Sequence, residues 1–305
     1  RETEFMPVAV KPEWAKLFNF DAHSPSGLQR TTCLEIFDKV IARQRNMREP
    51  TNSTMLGGTQ GHYFVSQVLI DGVDQNEAYR HALSQMQAHT PRDYDPSDAE
   101  KLDIILNGQY KSDITENEDT VFALTLQHLL DGTREAVKGE NKVSNGRWIS
   151  VHMPDVELPF IGEIDIETRG VVELKTQWPY PDAKAKRGFK INSLPAKPKA
   201  DHVTQVALYW KWLRKQSDNV PVTLVYANCK GYRVFSSVDC PELSEARLEM
   251  ALESARLIVR TRETLMKKAN SIPELLQMIA PDFGFWMWKS KPPAYKQLAE
   301  QMWSE

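Results

Sequence analysis

The chain has 305 residues, of which 41% are hydrophobic and 26% are charged, and its formal net charge at pH 7 is -3. This composition is typical of a folded globular protein, and it excludes an intrinsically disordered chain, a collagen-like fibre and a disulfide-stapled miniprotein. The near-neutral charge also excludes a polycation, so any binding of nucleic acid requires a local basic patch.

The cysteine pattern and the hydropathy pattern exclude further classes of protein. Cys33, Cys229 and Cys240 form no CxxC pair, which argues against a disulfide framework, a structural zinc site and an iron–sulfur cluster. No apolar run approaches the ~20 residues that cross a bilayer, and the N-terminal residues lack a basic start followed by an apolar stretch. We therefore expect a cytoplasmic protein in a reducing compartment, with no signal peptide and no membrane partner.

The first 138 residues are predicted to be mostly helical. A helix is predicted over 27–45, ending before Pro50. The glycine-rich segment 57–61 then leads into an apolar stretch from His62 to Ile70, which continues as helix. Two more helices are predicted over 75–89 and 117–137, the second with leucines at three- and four-residue spacing.

From Asn141 the pattern changes to β. Asn145-Gly146 lies between two short β-type segments and predicts a hairpin with a type I′ turn, because both residues tolerate positive φ. Strands follow over 160–167 and 171–176, then a basic stretch over 181–199 and a helix over 201–216. Strands over 220–227 and 232–236, helices over 242–269 and 273–280, and an aromatic tail complete the chain.

This pattern predicts a helical part over 1–138, a sheet core over 139–240 and C-terminal helices over 241–305, within one compact domain. The tail aromatics Trp286, Trp288 and Trp303 are expected to pack in a core rather than to stack on nucleobases.

Three acidic residues alternate along the strand over 160–167. Because side chains of a strand alternate with a period of two, Glu163, Asp165 and Glu167 are predicted to share one face. The three residues 168–170 are expected to close a hairpin in which Glu167 pairs with Val171.

That register places Asp165 opposite Glu173 and Glu163 opposite Lys175. Opposed carboxylates destabilise a hairpin unless a positive charge intervenes, and hard oxygen ligands suit Mg²⁺ or Mn²⁺. The pattern therefore predicts a divalent-metal site, with Lys175 close enough to orient or deprotonate a water. The alternative interpretation is a solvated hairpin whose charged face meets water.

A second signature lies on the helix after these strands, where Gln205 and Tyr209 are four residues apart and project from one helical face. Together with the acidic hairpin, with His62 in a Gly-Thr-x-x-His stretch and with Ser24-Pro-Ser-Gly-Leu28, the ordered set resembles the PD-(D/E)XK nuclease superfamily. The closer match is its RecB-type branch, which includes CRISPR-associated adaptation nucleases, phage exonucleases and the mitochondrial genome maintenance exonuclease. The resemblance covers roughly residues 24–236.

The resemblance implies an α/β fold with a restriction-endonuclease-like core, in which a central mixed β-sheet is flanked by helices and preceded by a helical N-terminal portion. It also implies a role for each matching residue: the metal ligands are His62, Asp165, Glu173 and the Leu174 carbonyl, the catalytic lysine is Lys175, and the helix motif is Gln205 and Tyr209. The cofactor is then Mg²⁺, with Mn²⁺ as a substitute. No cysteines match those that hold an iron–sulfur cluster in several relatives, and Ser66 stands where the branch often has a carboxylate.

A basic stretch follows the strand that carries Lys175. Between Asp182 and Asp201 the chain has six basic residues and no acidic residue. Neutralised phosphates release counterions, so such a stretch beside a metal site suits DNA. The alternative is a solvated basic loop without a partner. The residues expected to contact DNA are Lys184, Lys186, Arg187 and Lys190.

These motifs together imply a Mg²⁺-dependent DNA exonuclease that acts on single strands or DNA ends in replication, recombination or repair, in a bacterial or phage-infected cell. Two alternatives stay open. One is a structure-specific or restriction-like endonuclease. The other is a catalytically idle DNA-binding protein that assists recombination, against which the intact Glu173 and Lys175 argue.

Overall fold

The computed structural model describes residues 11–112 and 117–304. The α-helices are α1 (Glu13–Leu17), α2 (Thr32–Ile36), α3 (Ser53–Leu69), α4 (Gln75–Gln87), α5 (Pro96–Asn107), α6 (Val121–Ala136), α7 (Ala200–Leu213), α8 (Glu245–Lys268), α9 (Ile272–Gln277) and α10 (Pro293–Ser304). The strands are β1 (Gln109–Tyr110), β2 (Asp119–Thr120), β3 (Ser144–Asn145), β4 (Trp148–Val151), β5 (Phe160–Glu163), β6 (Ile166–Glu167), β7 (Val171–Thr176), β8 (Tyr180–Pro181), β9 (Phe189–Lys190), β10 (Val222–Asn228) and β11 (Gly231–Ser236). None of the helices in these ranges combines the length and the apolar character that a bilayer crossing needs.

The chain divides into two compact units, and each is assembled from segments that are distant in sequence. Of the described residues, the terminal unit comprises 11–49, Ser150–Gly162 and 252–304. The sheet unit comprises Pro50–Ile149 and Glu163–Ala251. These segments cut across the divisions that the sequence suggests at 138 and 240, because residues from both ends of the chain share one core.

Aromatic residues dominate the core of the terminal unit. Phe37 packs against Trp288 and Tyr295 with ring centroids 5.4 and 5.7 Å apart, and all three side chains are buried. Trp303 is half-buried. The prediction that the tail aromatics form core is therefore confirmed for Trp288, whereas Trp286 is 62% exposed.

The sheet unit contains a five-stranded mixed sheet in the order β11-β10-β7-β6-β3. The central pair β7 and β10 is parallel, and the other pairs are antiparallel. A parallel pair needs a long crossover, which α7 provides here. Helices α3 and α6 pack on the face that carries Val172, Leu174 and Val225, while α7 contacts β7 from the side of Glu173. This is the predicted α/β architecture with a mixed sheet flanked by helices.

The helical segments differ from prediction at several places, since one predicted helix is broken and the sequence pattern does not predict α1, α5 or α10. The single helix predicted over 27–45 is instead a 3₁₀ turn at Pro25–Gln29, then α2, then a π-helical stretch at Phe37–Ala42. The helix α5 was not predicted at all. Its start is marked by Asp95, whose carboxylate accepts the Ser97 N–H at 3.1 Å, and by Pro96 at the first helical position.

The predicted hairpin at Asn145-Gly146 is wrong, because β3 pairs with β6 and not with β4. Gly146 does not adopt the positive φ of a type I′ turn. Its role is close approach, since a Cβ built there would lie 1.5 Å from the Ile164 carbonyl oxygen. The Gly146 N–H donates to the Asp165 carbonyl at 3.0 Å, and the Ile164 N–H donates to the Arg147 carbonyl at 3.1 Å.

Candidate active site

The candidate site forms where β6 and β7 part. Glu167 pairs with Val171, as predicted, and the ladder ends at the next residue pair. A longer β6 would have bonded the Leu174 N–H through its main chain. That N–H donates instead to the Asp165 carboxylate, with 2.8 Å to Oδ2. Asp165 therefore reaches β7 through its side chain.

The predicted pairing of Glu163 with Lys175 is wrong. Glu163 ends β5, whose partner strand is β4, because the chain leaves the ladder at residues 164 and 165. Glu167 is also engaged elsewhere, since its two carboxylate oxygens accept from Nε and Nη2 of Arg147 at 2.8 Å each. Of the three acidic residues predicted to share a face, only Asp165 forms hydrogen bonds within the site. Glu163 stays close to it, since burial and then the charge of Asp165 raise the pKa of Glu163.

Helix α3 brings its histidine to the same stretch of β7. His62 Nε2 lies 3.1 Å from the Leu174 carbonyl oxygen, and His62 Nδ1 lies 3.1 Å from Asp165 Oδ1. The preceding glycines permit this approach, because a Cβ at Gly57 would lie only 2.8 Å from the Trp178 ring. The glycine-rich segment thus belongs to α3 and sets how closely that helix packs.

Helix α7 supplies the remaining groups. Gln205 Nε2 donates to Glu173 Oε1 at 2.6 Å and to the Tyr209 hydroxyl at 2.9 Å, so the two α7 side chains share a face as predicted. Lys175 Nζ lies 2.6 Å from Glu173 Oε1 and donates to Gln205 Oε1 at 3.0 Å. Since both amide protons of Gln205 are engaged, its oxygen is fixed toward the Lys175 ammonium.

Burial governs the protonation of the two acids. Glu173 is 1% exposed, and its pKa is raised to about 8 by burial and then by the charge of Asp165. Burial also acts to raise the pKa of Asp165, but the charge and hydrogen bond of His62 hold it below its usual range. The site therefore contains one acid that strongly favours its ionised form and one that binds a proton readily.

The two basic groups respond to these acids. Burial acts to lower the pKa of His62, but Asp165 raises it above its ordinary value. Both His62 ring nitrogens face oxygen atoms, which suits the doubly protonated ring. Burial likewise acts to lower the pKa of Lys175, and the charges of Glu173 and Asp165 raise it. The two basic groups thus offset the charge of Asp165, and that of Glu173 when it is ionised.

Within the described residues, no three His, Cys, Asp or Glu side chains converge as they would around a bound metal ion. The reason is local: Glu173 Oε1 is drawn to Lys175, and both Asp165 oxygens are occupied by His62 and the Leu174 N–H. One observation nevertheless fits a cation, since Glu173 Oε2 is buried and has no hydrogen-bond partner. The donor set, two carboxylates, a carbonyl and an imidazole, also suits Mg²⁺ or Mn²⁺.

Ser66 occupies the position where the RecB-type motif often has a further carboxylate. Its hydroxyl donates to Asn145 Oδ1, so it ties α3 to β3 rather than extending the acidic set. Asn145 thus contributes a hydrogen bond to a helix and does not form a turn.

The predicted basic loop is a short hairpin formed by β8 and β9. The Asp182 N–H donates to the Gly188 carbonyl at 2.9 Å, and Lys190 Nζ lies 2.5 Å from Asp182 Oδ2. Asp182 Oδ1 also accepts the Lys184 N–H at 2.8 Å. Lys190 therefore helps to close the hairpin, and its charge is already paired.

Arg187 is likewise engaged within the protein. It lies 3.6 Å from Glu118 and stacks over the Tyr110 ring at 5.0 Å. Lys184 and Lys186 extend from the hairpin as exposed side chains. The structure thus divides the four predicted DNA contacts into two paired cations and two exposed lysines.

Arg147 is a residue of this region that the sequence pattern does not predict. Besides its two bonds to Glu167, the guanidinium stacks over Trp212 of α7 at 4.5 Å. Its backbone carbonyl accepts from Ile164, next to Asp165. Nothing in the sequence distinguishes this arginine from its neighbours, because its partners come from β6 and α7.

The Ser-x-Ser-x-Leu motif lies in the terminal unit. Ser24 Oγ accepts the Gly27 N–H at 3.2 Å and caps the 3₁₀ turn. A Cβ at Gly27 would lie 2.4 Å from a Glu35 carboxylate oxygen, and the Gly27 carbonyl accepts from Arg262 at 3.1 Å. These contacts give the motif a role in local structure.

No family model matches this chain, and no curated protein matches it. Among solved structures, the crystal structure of SSO0001 is similar with a TM-score of 0.27 and 14% sequence identity, covering 83% of this chain and 97% of that chain. Similarity at this level does not establish a shared fold.

Proposed function

We propose that this protein is a divalent-metal-dependent deoxyribonuclease with a PD-(D/E)XK core of RecB type, and that it hydrolyses phosphodiester bonds as an exonuclease on single strands or DNA ends. One observation carries the proposal. Side chains from α3, β7, α7 and the segment between β5 and β6 form one connected network on a single stretch of β7. Its members are His62, Asp165, Glu173, Lys175, Gln205 and Tyr209.

Asp165, Glu173, the Leu174 carbonyl and His62 would hold the metal ion. When bound, a divalent cation supplies neutralisation of phosphate charge and activation of a water. The two acids differ in how they accept this role. Asp165 favours its ionised form, whereas Glu173 must lose a proton and give up its bond to Lys175. His62 must also lose a proton from the ring nitrogen that binds the cation, so metal binding is expected to release protons.

Lys175 is proposed to act on the reacting phosphate. Its ammonium is two residues from Glu173 on the same face of β7, and Gln205 holds it through the amide oxygen. A fixed positive charge beside a phosphodiester stabilises the negative charge that grows on its oxygens. Tyr209 acts through Gln205, because its hydroxyl accepts one amide proton and so fixes which way the amide faces.

The proposal is tested with three DNA substrates: end-labelled linear single strands, blunt duplexes and closed single-stranded circles, each incubated with Mg²⁺, Mn²⁺ or EDTA. We expect linear DNA to be shortened from its ends with either metal, while circles stay intact and EDTA stops the reaction. Cleavage of circles would identify an endonuclease instead.

A matched variant distinguishes hydrolysis at this site from hydrolysis by a contaminating nuclease. Glu173→Gln keeps the size and the neutral form of the side chain, and it should abolish the activity. If wild type and Glu173→Gln both bind DNA without cleaving it under any metal condition, the idle DNA-binding alternative is correct.

A further inference from the structure

Trp148 is the starting residue of β4 in the sheet unit, and 63% of its surface is exposed. The described residues provide it with no aromatic or cationic stacking partner. Tyr63, the exposed aromatic next to His62, differs in this respect because it stacks on His81 at 4.8 Å. Trp148 does not belong to the core of the sheet unit. A single exposed aromatic is ordinary on a protein surface, so what distinguishes Trp148 is its position.

The backbone places Trp148 close to the candidate active site. The preceding residue, Arg147, accepts the Ile164 N–H, and Gly146 donates to the Asp165 carbonyl. With 3.8 Å between consecutive Cα atoms and about 5.5 Å across a bonded pair, the Cα atoms of Trp148 and Asp165 are at most about 13 Å apart. One or two nucleotides of an extended strand span that distance.

The segment that carries Trp148 is also held firmly. Arg147 is fixed by two bonds to Glu167 and by stacking over Trp212. A side chain that presents a flat face from an anchored backbone loses little freedom when a ligand stacks on it.

We propose that Trp148 stacks on an unpaired nucleobase of the strand whose phosphate lies at the candidate active site, and that it thereby makes the enzyme prefer single-stranded ends. This inference rests on the proposed nuclease function and adds the residue that selects the substrate. Every base has a π face, so the contact tolerates any sequence. A base inside a duplex has both faces covered by its neighbours, and it cannot stack without unpairing.

The test measures binding without cleavage. Fluorescein-labelled 12-mers, single-stranded or as a blunt duplex, are titrated in EDTA with wild type, Trp148→Ala, Trp148→Phe and Trp286→Ala, and anisotropy gives the affinity. Trp148→Ala should lose roughly 5- to 150-fold in affinity for the single strand. Trp148→Phe should stay within about threefold of wild type, because it keeps an aromatic face.

Trp286→Ala is the matched control, since that tryptophan is equally exposed but belongs to the terminal unit. It should bind like wild type. Moving a single abasic site along the 12-mer should reveal one or two positions that weaken wild-type binding but leave Trp148→Ala unchanged.

Two outcomes overturn the inference: Trp148→Ala binds the single strand as tightly as wild type does, or it loses the same factor on the duplex. The binding measurement is independent of hydrolysis, so the two proposals fail separately. Normal cleavage with no Trp148 effect removes only the stacking role. A Trp148-dependent affinity without any cleavage removes only the nuclease function.

Discussion

The Asp165 carboxylate accepts the Leu174 backbone N–H at 2.8 Å, so a side chain occupies the place of a neighbouring strand. The other carboxylate oxygen lies 3.1 Å from His62 Nδ1. Asp165 is thereby tied to the same residue whose carbonyl faces His62 Nε2. The early end of β6 has opened one edge of β7, and the candidate metal ligands line that edge.

Asp165→Asn should reduce cleavage at least about 100-fold while leaving the fold intact. The asparagine oxygen can still accept the Leu174 N–H, so the backbone contact survives. The charge that is proposed to hold the cation is lost. Turnover at saturating Mg²⁺ measures the loss of cleavage, and the circular dichroism spectrum checks that the fold is intact. Glu140→Gln is the control, because Glu140 pairs with Arg169 at the far end of the β6–β7 hairpin. If Asp165→Asn cleaves DNA as fast as this control, Asp165 has no role in the mechanism.

Lys175→Ala should lower turnover by about two to three orders of magnitude and change DNA affinity only a few-fold. The reason is that the ammonium is proposed to stabilise charge that appears only during reaction. Single-turnover rates and anisotropy in EDTA give the two quantities. Gln205→Ala should show a smaller loss of the same kind, since it removes the group that orients the ammonium. Equal losses in affinity, with turnover intact at saturation, would make Lys175 a phosphate anchor instead.

His62→Ala should raise the Mg²⁺ concentration needed for half-maximal activity, because one proposed ligand of the cation is removed. Imidazole is a better partner for Mn²⁺ than for Mg²⁺, so replacing Mg²⁺ by Mn²⁺ should help wild type more than the variant. Metal titrations of initial rates measure both effects. Superimposable titration curves would assign His62 to packing between α3 and β7.

Much of the site was predictable from sequence because its strongest signals are local. The Glu167–Val171 register follows from a three-residue turn, and the Gln205–Tyr209 contact follows from helical spacing. Glu173 and Lys175 follow from strand alternation.

The rest depends on where strands end, which sequence patterns do not encode. Asn145-Gly146 has the composition of a hairpin turn, yet tertiary packing uses the glycine to let the Ile164 carbonyl approach. The acidic pattern of 163–167 predicts one continuous strand. In the structure β5 ends at Glu163 and β6 begins at Ile166. The candidate site forms at this interruption, around Asp165. Likewise, the role of Arg147 depends on its contacts with Glu167 of β6 and Trp212 of α7, which are distant in sequence.

Glu263 should make the stability of the terminal unit depend on pH. Its carboxylate accepts the backbone N–H groups of Leu158 and Glu157 at 2.9 Å each and lies 3.0 Å from His23 Nε2. Burial acts to raise its pKa, but these hydrogen bonds hold it below the ordinary value of 4.5. A depressed pKa stabilises the folded state above the unfolded pKa, and this contribution is lost as pH falls through the folded pKa.

The free energy of unfolding should therefore decrease as pH is lowered below about 4.5. Glu263→Gln should lower it by about 1–3 kcal/mol at pH 7, because one backbone N–H loses its acceptor, and it should flatten the acid dependence. Urea denaturation between pH 3 and pH 7 measures both. The exposed Glu249 supplies the control variant Glu249→Gln, and identical acid profiles for wild type and Glu263→Gln would contradict the assignment.

The basic residues of the β8–β9 hairpin are predicted to bind DNA, and the structure indicates which of them are available to do so. Replacing Lys184, Lys186, Arg187 and Lys190 together by glutamine should weaken DNA binding and flatten its salt dependence, with a slope change of roughly 0.7 per lost contact on single strands. Because Arg187 and Lys190 are already paired with Glu118 and Asp182, the double variant Lys184→Gln/Lys186→Gln should account for most of the change.

The complementary variant Arg187→Gln/Lys190→Gln should act differently from the lysine pair. Removing Lys190 leaves Asp182 without its ion pair, so we expect a lower thermal stability of the hairpin with a smaller change in salt slope. The control Lys268→Gln/Lys289→Gln removes the same charge from exposed positions of the terminal unit. Affinities measured at four salt concentrations give each slope, and the loss should be uniform across DNA sequences because phosphates carry no base information. A salt slope in Lys184→Gln/Lys186→Gln equal to that of the control would place the DNA track away from this hairpin.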